Sequence, residues 1–185
     1  GEAVEVVVIA QDAQGAELAR PWVEKAGGTY RALLDQYNFI GKAYNLKYVP
    51  VGIAVDETGR LVRPVGSVNI QDAEFLADLK EWAETDGIAK RWCGLPGGGL
   101  PQPMNPGEKQ ADDHFQVAIA LLQEGKKQEA IARLKEAVRL DPQNWLMRKQ
   151  LWAIDAPEAF YAGEVNYDWQ EARKEAEAKE LLKSE

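Results

Sequence analysis

The amino-acid sequence predicts an α+β protein in which an α/β region of strands and helices precedes a smaller all-helical region. Three features of the sequence support this prediction. Residues 4–10 form a β-branched run, residues 51–55 and 61–65 are apolar runs that flank a tight turn, and amphipathic helical periodicity begins at Ala111. A run of mixed strands and helices followed by helices alone is typical of the α+β class.

Composition and charge limit the partners of the chain. Its 185 residues, 45% of them hydrophobic, can form the core of one domain or of two small ones. The formal net charge of −8 at pH 7 comes without any basic block, which disfavours nucleic acid and anionic membrane surfaces as partners. No apolar run approaches the roughly 20 residues that a membrane-spanning helix requires.

The residues that commonly bind metals or form disulfides are scarce. The single cysteine excludes an internal disulfide. The only histidine, His114, has no companions at metal-ligand spacing. We therefore expect neither a metal nor another cofactor, and a packing or capping role for His114.

The first elements of the chain are predicted to be a strand and a helix. Residues 4–10 (Val-Glu-Val-Val-Val-Ile-Ala) show almost no polar alternation, which indicates a strand buried on both faces of a sheet. Residues 16–26 form a predicted helix that ends at Gly27, and Pro21 is tolerated there only in the first turn. The apolar side of this helix consists of Leu18, Trp22 and Val23.

Further elements are predicted before residue 90. Residues 30–34 read as a short strand and residues 39–46 as a helix, the second with its apolar side chains inward: Phe39, Ile40, Ala43 and Tyr44. A β-hairpin follows, in which Gly59 supplies the positive φ of the turn. Asp72 caps a helix whose apolar residues recur at helical spacing: Phe75, Leu76, Leu79, Trp82 and Ala83.

The hairpin carries a resemblance to a known family. Val49-Pro50, an apolar strand, Asp56-Glu57-Thr58-Gly59 and a second strand resemble the C-terminal half of a thioredoxin-like domain of the extracytoplasmic TlpA and ResA-like thiol-disulfide oxidoreductases. Residues 4–12 and 19–25 are similar to the strand and helix that come after the redox motif of that family. The resemblance covers about the first half of the chain and implies a sheet flanked by helices, and a periplasmic or exported protein.

The resemblance also implies which site residues this chain holds. The Cys-x-x-Cys motif of the family lies on a strand-to-helix unit that would precede Val4, so no catalytic residue is expected here and the thioredoxin-like sheet is incomplete. The cis-proline of the family, which binds the extended backbone of a substrate protein, maps onto Pro50 with Val49 before it. A proline at the start of a strand with no such role is the alternative interpretation of Pro50.

An incomplete sheet has a structural consequence. The missing strand would lie between residues 4–10 and 51–55, and its absence would expose apolar strand edges that favour aggregation. We therefore expect either that these two strands pair directly in antiparallel fashion or that another chain covers them in a homo-oligomer.

Residues 90–110 are predicted to be a linker because glycine and proline are dense there. Trp92-Cys93-Gly94 imitates the start of a thioredoxin motif, but no second cysteine follows it. Cys93 is therefore interpreted as an incidental or half-buried thiol.

The helical region resembles one tetratricopeptide repeat. The residues that carry this resemblance are Ala118, Gly125 in the turn, Ala130, Ala137 and Pro142, while His114 and Leu121 replace the expected aromatic residues. Because one repeat cannot bury both of its faces, a third helical segment with Trp145 and Trp152 and an aromatic stretch is expected to cover it. That stretch, with Phe160, Tyr161, Tyr167 and Trp169, is interpreted as a satellite core, and a ligand or peptide platform is the alternative.

These features divide the chain into a thioredoxin-like domain (1–89), a linker (90–110), a helical hairpin with its aromatic segment (111–170) and a charged terminal helix or tail (171–185). Two functions follow as hypotheses. The first is the C-terminal portion of a thiol-disulfide oxidoreductase, inactive by itself, whose partners are thiol or disulfide client proteins. The second is a non-catalytic module that binds proteins through its thioredoxin-like and repeat surfaces.

Overall fold

The computed structural model describes residues 4–85, 87–95 and 102–184, with side chains as far as Lys179. It is a mixed α/β protein, mostly helical, with a small parallel sheet. The mixed α/β class predicted from the sequence is confirmed at this level. The elements in chain order are β1 (Val7–Ala10), α1 (Ala16–Ala26), β2 (Arg31–Leu34), α2 (Phe39–Ala43), α3 (Ala73–Glu84), α4 (Pro106–Gln123), α5 (Lys127–Leu140), α6 (Trp145–Asp155), α7 (Glu158–Tyr161) and α8 (Tyr167–Ser184).

The first three elements form a β-α-β unit with parallel strands. Val7 lies opposite Arg31 and Ala10 opposite Leu34, and α1 is the crossover between the strands. The predicted bounds of α1 are confirmed, but Pro21 lies inside the helix and not in its first turn. Because α1 buries no residue, the carbonyl group that Pro21 leaves without a donor can bond to water.

The prediction that residues 4–10 are buried on both faces is wrong. The strand begins at Val7, and Val7 and Val8 remain 39% and 38% exposed. The cause is the number of neighbours: within the described residues β1 pairs only with β2, so its other edge has no strand beside it.

Direct antiparallel pairing of β1 with residues 51–55 is also not observed. The predicted hairpin consists of isolated bridges, Gly52 to Gly66 and Val55 to Leu61, rather than of two full strands. Its turn is formed as expected, with Gly59 at φ +80° and the Asp56 carboxylate accepting from the backbone N–H groups of Thr58 and Arg60.

Two helices of the first half differ in their agreement with the sequence. α2 is shorter than expected and Phe39, predicted to point inward, is 67% exposed and lies against Tyr37. Gly41 takes the buried position because the side chain of Asn38 occupies the space that a Cβ atom would need. α3 agrees with the prediction, and the Asp72 carboxylate accepts from the Glu74 N–H at its N-terminus.

The predicted helical hairpin is present as α4 and α5. Gly125 makes the turn at φ +75°, and fully buried Ala118, Ala130 and Ala137 allow the two helices to approach closely. α4 begins at Pro106, earlier than the sequence suggested, because Asn105 and Glu108 form a capping box there.

A cluster of aromatic side chains covers the hairpin. Trp152 is 1% exposed and meets Trp145 and Trp169 edge-on at ring-centroid distances of 6.1 and 5.9 Å, and Phe160 packs on Trp169 at 5.9 Å. These residues therefore form core, but Tyr167, predicted to belong to the same satellite core, is 71% exposed. The helix that follows is not merely solvated, because Glu177 of α8 accepts from the Trp152 indole N–H at 2.5 Å and pairs with Arg148.

Lys47 joins the first half of the chain to the helical hairpin. Its ammonium group donates to Asp141 at 2.7 Å and lies 2.8 Å from Glu108. Its carbonyl group accepts from the Leu146 N–H at 3.0 Å. A second ion pair, between Lys42 of α2 and the buried Asp112 of α4 at 2.6 Å, also joins the first half of the chain to the helical hairpin.

A second set of hydrogen bonds joins the loop after β1 to α6 and α7. The Gln150 amide donates to the Gln11 carbonyl and accepts from the Ala13 N–H, both at 2.8 Å. The Tyr161 hydroxyl donates to the Asp12 carboxylate at 2.9 Å. The two halves of the chain are therefore packed together through direct polar contacts.

We expect Lys47→Met to lower the free energy of unfolding by about 2–3 kcal/mol, because Asp141 and Glu108 would lose the cation they share. Lys109→Met on the exposed side of α4 is the matched control, with an expected loss below about 0.5 kcal/mol. Urea unfolding followed by far-ultraviolet circular dichroism measures both. Equal losses in the two variants would contradict the structural role of Lys47.

Asp12 should make the stability fall as pH rises. Burial raises the pKa of this carboxyl, more than its hydrogen bonds to the Gln14 N–H and Tyr161 lower it. A folded-state pKa above the unfolded value gives a contribution that is fully present below the unfolded pKa and lost as pH rises through the folded one. Asp12→Asn removes this loss, so we expect the free energy of unfolding of the variant minus that of the parent to be larger at pH 7 than at pH 3.5.

Urea unfolding at both pH values measures this difference. Glu164→Gln, a change at an exposed carboxyl, is the control and should show no such dependence. A relative stability of Asp12→Asn that does not change between the two pH values would contradict the role of the buried carboxyl.

Candidate functional site

A groove of about 310 Å³ lies between the segment that leads to Pro50 and the residues after the hairpin turn. Asn45, at φ +48°, reverses the chain direction after α2 and brings the next residues beneath the hairpin. Leu46 and Leu61, which are buried, line the groove. Four apolar residues that are less buried than these two also line it: Tyr48, Val51, Pro64 and Val65.

The two residues singled out by the sequence, Val49 and Pro50, do not themselves line this groove but lie between two residues that do. Tyr48 and Val51, which flank them, both line it, and Val49 is 36% exposed beside an exposed Pro50. The peptide bond between Val49 and Pro50 is cis. Val49 and Pro50 are therefore next in sequence to the groove, and both are accessible to an extended chain.

The charged group of the groove and the amide nitrogen of Asn45 are already used within the protein, whereas the buried Asn45 Oδ1 has no hydrogen-bond partner among the described residues. Lys47 pairs with Asp141 and Glu108, and the Asn45 amide donates to Glu108 at 3.3 Å. The hydrogen bond from Lys47 holds the pKa of Glu108 below its usual value, so this carboxylate is a poor proton acceptor. The groove therefore suits binding of an apolar side chain rather than acid-base catalysis.

Asp12 and Tyr161, whose pKa values are also shifted, lie at the junction of the two halves and do not line the groove. Burial, and then the charge of Asp12, raise the pKa of the Tyr161 hydroxyl, while burial raises the pKa of Asp12 itself. Both groups are held by hydrogen bonds, including one from the Gln14 amide to the Tyr161 oxygen at 3.0 Å. Their shifts therefore follow from their position in the junction.

Cys93 and His114 do not belong to the groove. The Cys93 thiol is exposed and lies 3.7 Å from the Ile88 carbonyl, which it faces as a weak donor. His114 is partly buried on α4. No cluster of three or more His, Cys, Asp or Glu residues in the described part of the chain could hold a metal ion.

Sequence reasoning missed one structural feature near these residues. Trp92, placed in the predicted linker, is only 6% exposed and packs between Phe75 and Trp82 at ring-centroid distances of 6.3 and 5.9 Å. The glycines and prolines that follow Trp92 dominated the local composition, and no periodicity marked it as core. The packing of Trp92 on α3 creates a second cavity, which is described below.

Among helices in the described ranges, none is both long and apolar enough to cross a membrane. Comparison of the chain with protein-family models, curated proteins and solved structures finds no match in any of the three. No known relative therefore supports the resemblance to thioredoxin-like oxidoreductases, and the function is proposed from the residues and the structure.

Proposed function

We propose that this chain is the substrate-binding, C-terminal portion of a thioredoxin-like thiol-disulfide oxidoreductase. The observation that carries the proposal is the order of its parts. A parallel β-α-β unit is followed by Val49-Pro50, by an apolar groove at the hairpin and by α3, and this order of strand, helix, short strand, helix, hairpin and helix is in keeping with the resemblance. The groove would hold an extended client protein against the Val49-Pro50 edge.

The chemistry divides between this chain and a unit that would precede it. Thiol-disulfide exchange needs a thiolate that attacks a disulfide and a second thiol that resolves the mixed disulfide. This chain has one cysteine, Cys93, which is outside the groove. We therefore assign binding to this chain and both redox groups to an upstream strand-to-helix unit, so that the chain alone should be inactive.

Insulin reduction by a polypeptide extended upstream through a Cys- or selenocysteine-containing motif tests this assignment. We expect turnover by the extended polypeptide and none by residues 1–185 alone. Val49→Asp in the extended polypeptide should lower kcat/KM about tenfold, because a charge at the groove edge opposes binding of an apolar chain, and tenfold corresponds to about 1.4 kcal/mol.

The matched control is Val117→Asp, a change at an exposed valine of α4 outside the groove. It should leave kcat/KM unchanged. Equal effects of the two substitutions would contradict a role for the groove edge in substrate binding, and circular dichroism checks that both variants are folded.

A non-catalytic protein-binding module is the second candidate. It is favoured by the junction, where Lys42 and Lys47 fix the helical hairpin on the first half of the chain and create one continuous scaffold. A scaffold of this kind needs no redox group. An upstream segment without a Cys- or selenocysteine-containing motif, or an extended polypeptide without turnover, would favour this candidate over the first.

We further propose that a second copy of the chain covers β1. Val6, Val7 and Val8 are exposed, and an unpaired strand edge is a template for pairing with another chain. Light scattering should then give a dimer at micromolar concentration, and Val7→Lys should give a monomer because lysine at a strand edge opposes pairing.

Val117→Lys, on α4, is the control and should remain dimeric. A monomeric parent protein whose Val7–Ala10 amides exchange freely with solvent would contradict this arrangement.

A further inference from the structure

A second cavity, of about 270 Å³, lies on the other side of the segment that follows the hairpin turn. Its lining shares no residue with the groove beside Pro50. The residues that matter for its chemistry are Arg63, Phe75, Asp78, Arg91 and Trp92. Both charged and aromatic side chains therefore line one open cavity.

Arg63 is held in this cavity by aromatic rings rather than by ion pairs. Its guanidinium carbon lies 5.3 Å from the ring centroid of Phe75 and 5.8 Å from that of Trp92. Contacts with ring faces use the flat surface of the guanidinium and leave its N–H groups at the edge available. Its position is therefore fixed while its donors remain unused.

The lack of a partner for these donors distinguishes Arg63 from Arg91, the other arginine that lines the cavity. Its Nε atom is buried without a hydrogen-bond acceptor, and none of the described carboxylates lies within ion-pair distance of it. Arg91, which lines the same cavity, instead lies 3.0 Å from Glu74 and 3.7 Å from Asp78. A positive charge kept partly away from water without a partner is costly, and a ligand acceptor would offset that cost.

The surroundings of Arg63 limit the charge of such a ligand. Asp78 is buried in the cavity wall and Asp72 also lines it, so a dianion or trianion would meet two carboxylates. A single carboxylate fits the planar fork of one guanidinium. Val68, Phe75, Trp92 and Leu95 provide apolar surface beside it.

We propose that this cavity binds a monocarboxylate that carries an apolar group, with the carboxylate on Arg63 and the apolar group against Phe75 and Trp92. Such a ligand is either the C-terminal residue of a peptide or a small organic acid. The proposal does not depend on the redox assignment, because it involves neither Val49-Pro50 nor the groove.

Isothermal titration of residues 1–185 with N-acetyl-leucine tests the proposal. N-acetyl-leucinamide, which has the same apolar group without the charge, is the matched probe and should bind at least tenfold more weakly. Arg63→Gln should weaken N-acetyl-leucine binding at least tenfold as well, since a charge-assisted hydrogen-bonded pair is lost. Arg133→Gln, an exposed residue of α5, should leave it unchanged.

Near-ultraviolet circular dichroism reports whether the aromatic cluster around Trp92 survives in Arg63→Gln. If it does not, the comparison of acid and amide on the parent protein still decides the matter. No binding of N-acetyl-leucine at millimolar concentration, equal binding of the amide, or tighter binding of inorganic phosphate would each overturn the proposal. Tighter binding of N-acetyl-leucine than of 4-methylpentanoate supports a peptide C-terminus as the natural ligand, and the reverse supports a small organic acid.

Discussion

The ammonium group of Lys47 is the constraint on which the arrangement of the two halves depends. It lies between Asp141, which is buried at the end of α5, and Glu108 in the first turn of α4. Each carboxylate loses hydration at this junction, and a shared cation offsets that loss. Glu108 also completes the cap of α4. The Lys47 side chain therefore fixes the start of α4 through Glu108 and the end of α5 through Asp141.

This constraint extends to the groove. The Lys47 carbonyl accepts from the first turn of α6, while Leu46 before it and Tyr48 after it line the groove. One wall of the groove is therefore attached to the helical hairpin by both a side chain and the backbone. A wall held in this way presents a fixed surface, which lowers the entropic cost of binding an extended segment.

The parts of the fold that could be predicted from the sequence are those that local patterns determine. The bounds of α1, the Gly125 turn and the start of α6 follow from glycine, proline and helical periodicity, all of which act within a few residues. The failures concern burial. Val7 and Val8 have the composition of a central strand, but whether a strand is buried depends on its neighbours, and among the described residues β1 pairs with β2 alone.

The candidate sites show the same limit. Pro50 could be singled out because its neighbourhood in sequence resembles a family pattern, and its neighbours Tyr48 and Val51 line a groove. Arg63 could not be singled out in this way. Its role depends on Phe75 and Trp92, which lie far from it in sequence. A single arginine after an apolar pair carries no signal until the fold places two aromatic rings beside it.

The segment of residues 61–68 links the two cavities. Leu61, Pro64 and Val65 line the groove, whereas Arg63 and Val68 line the second cavity, so neighbouring residues of one segment face opposite sides. The segment is fixed between them by Val62, which is buried against Trp92, and by the backbone bond from its N–H to the Ala54 carbonyl. A ligand on Arg63 and a segment bound in the groove would therefore contact neighbouring residues of one short, shared piece of backbone.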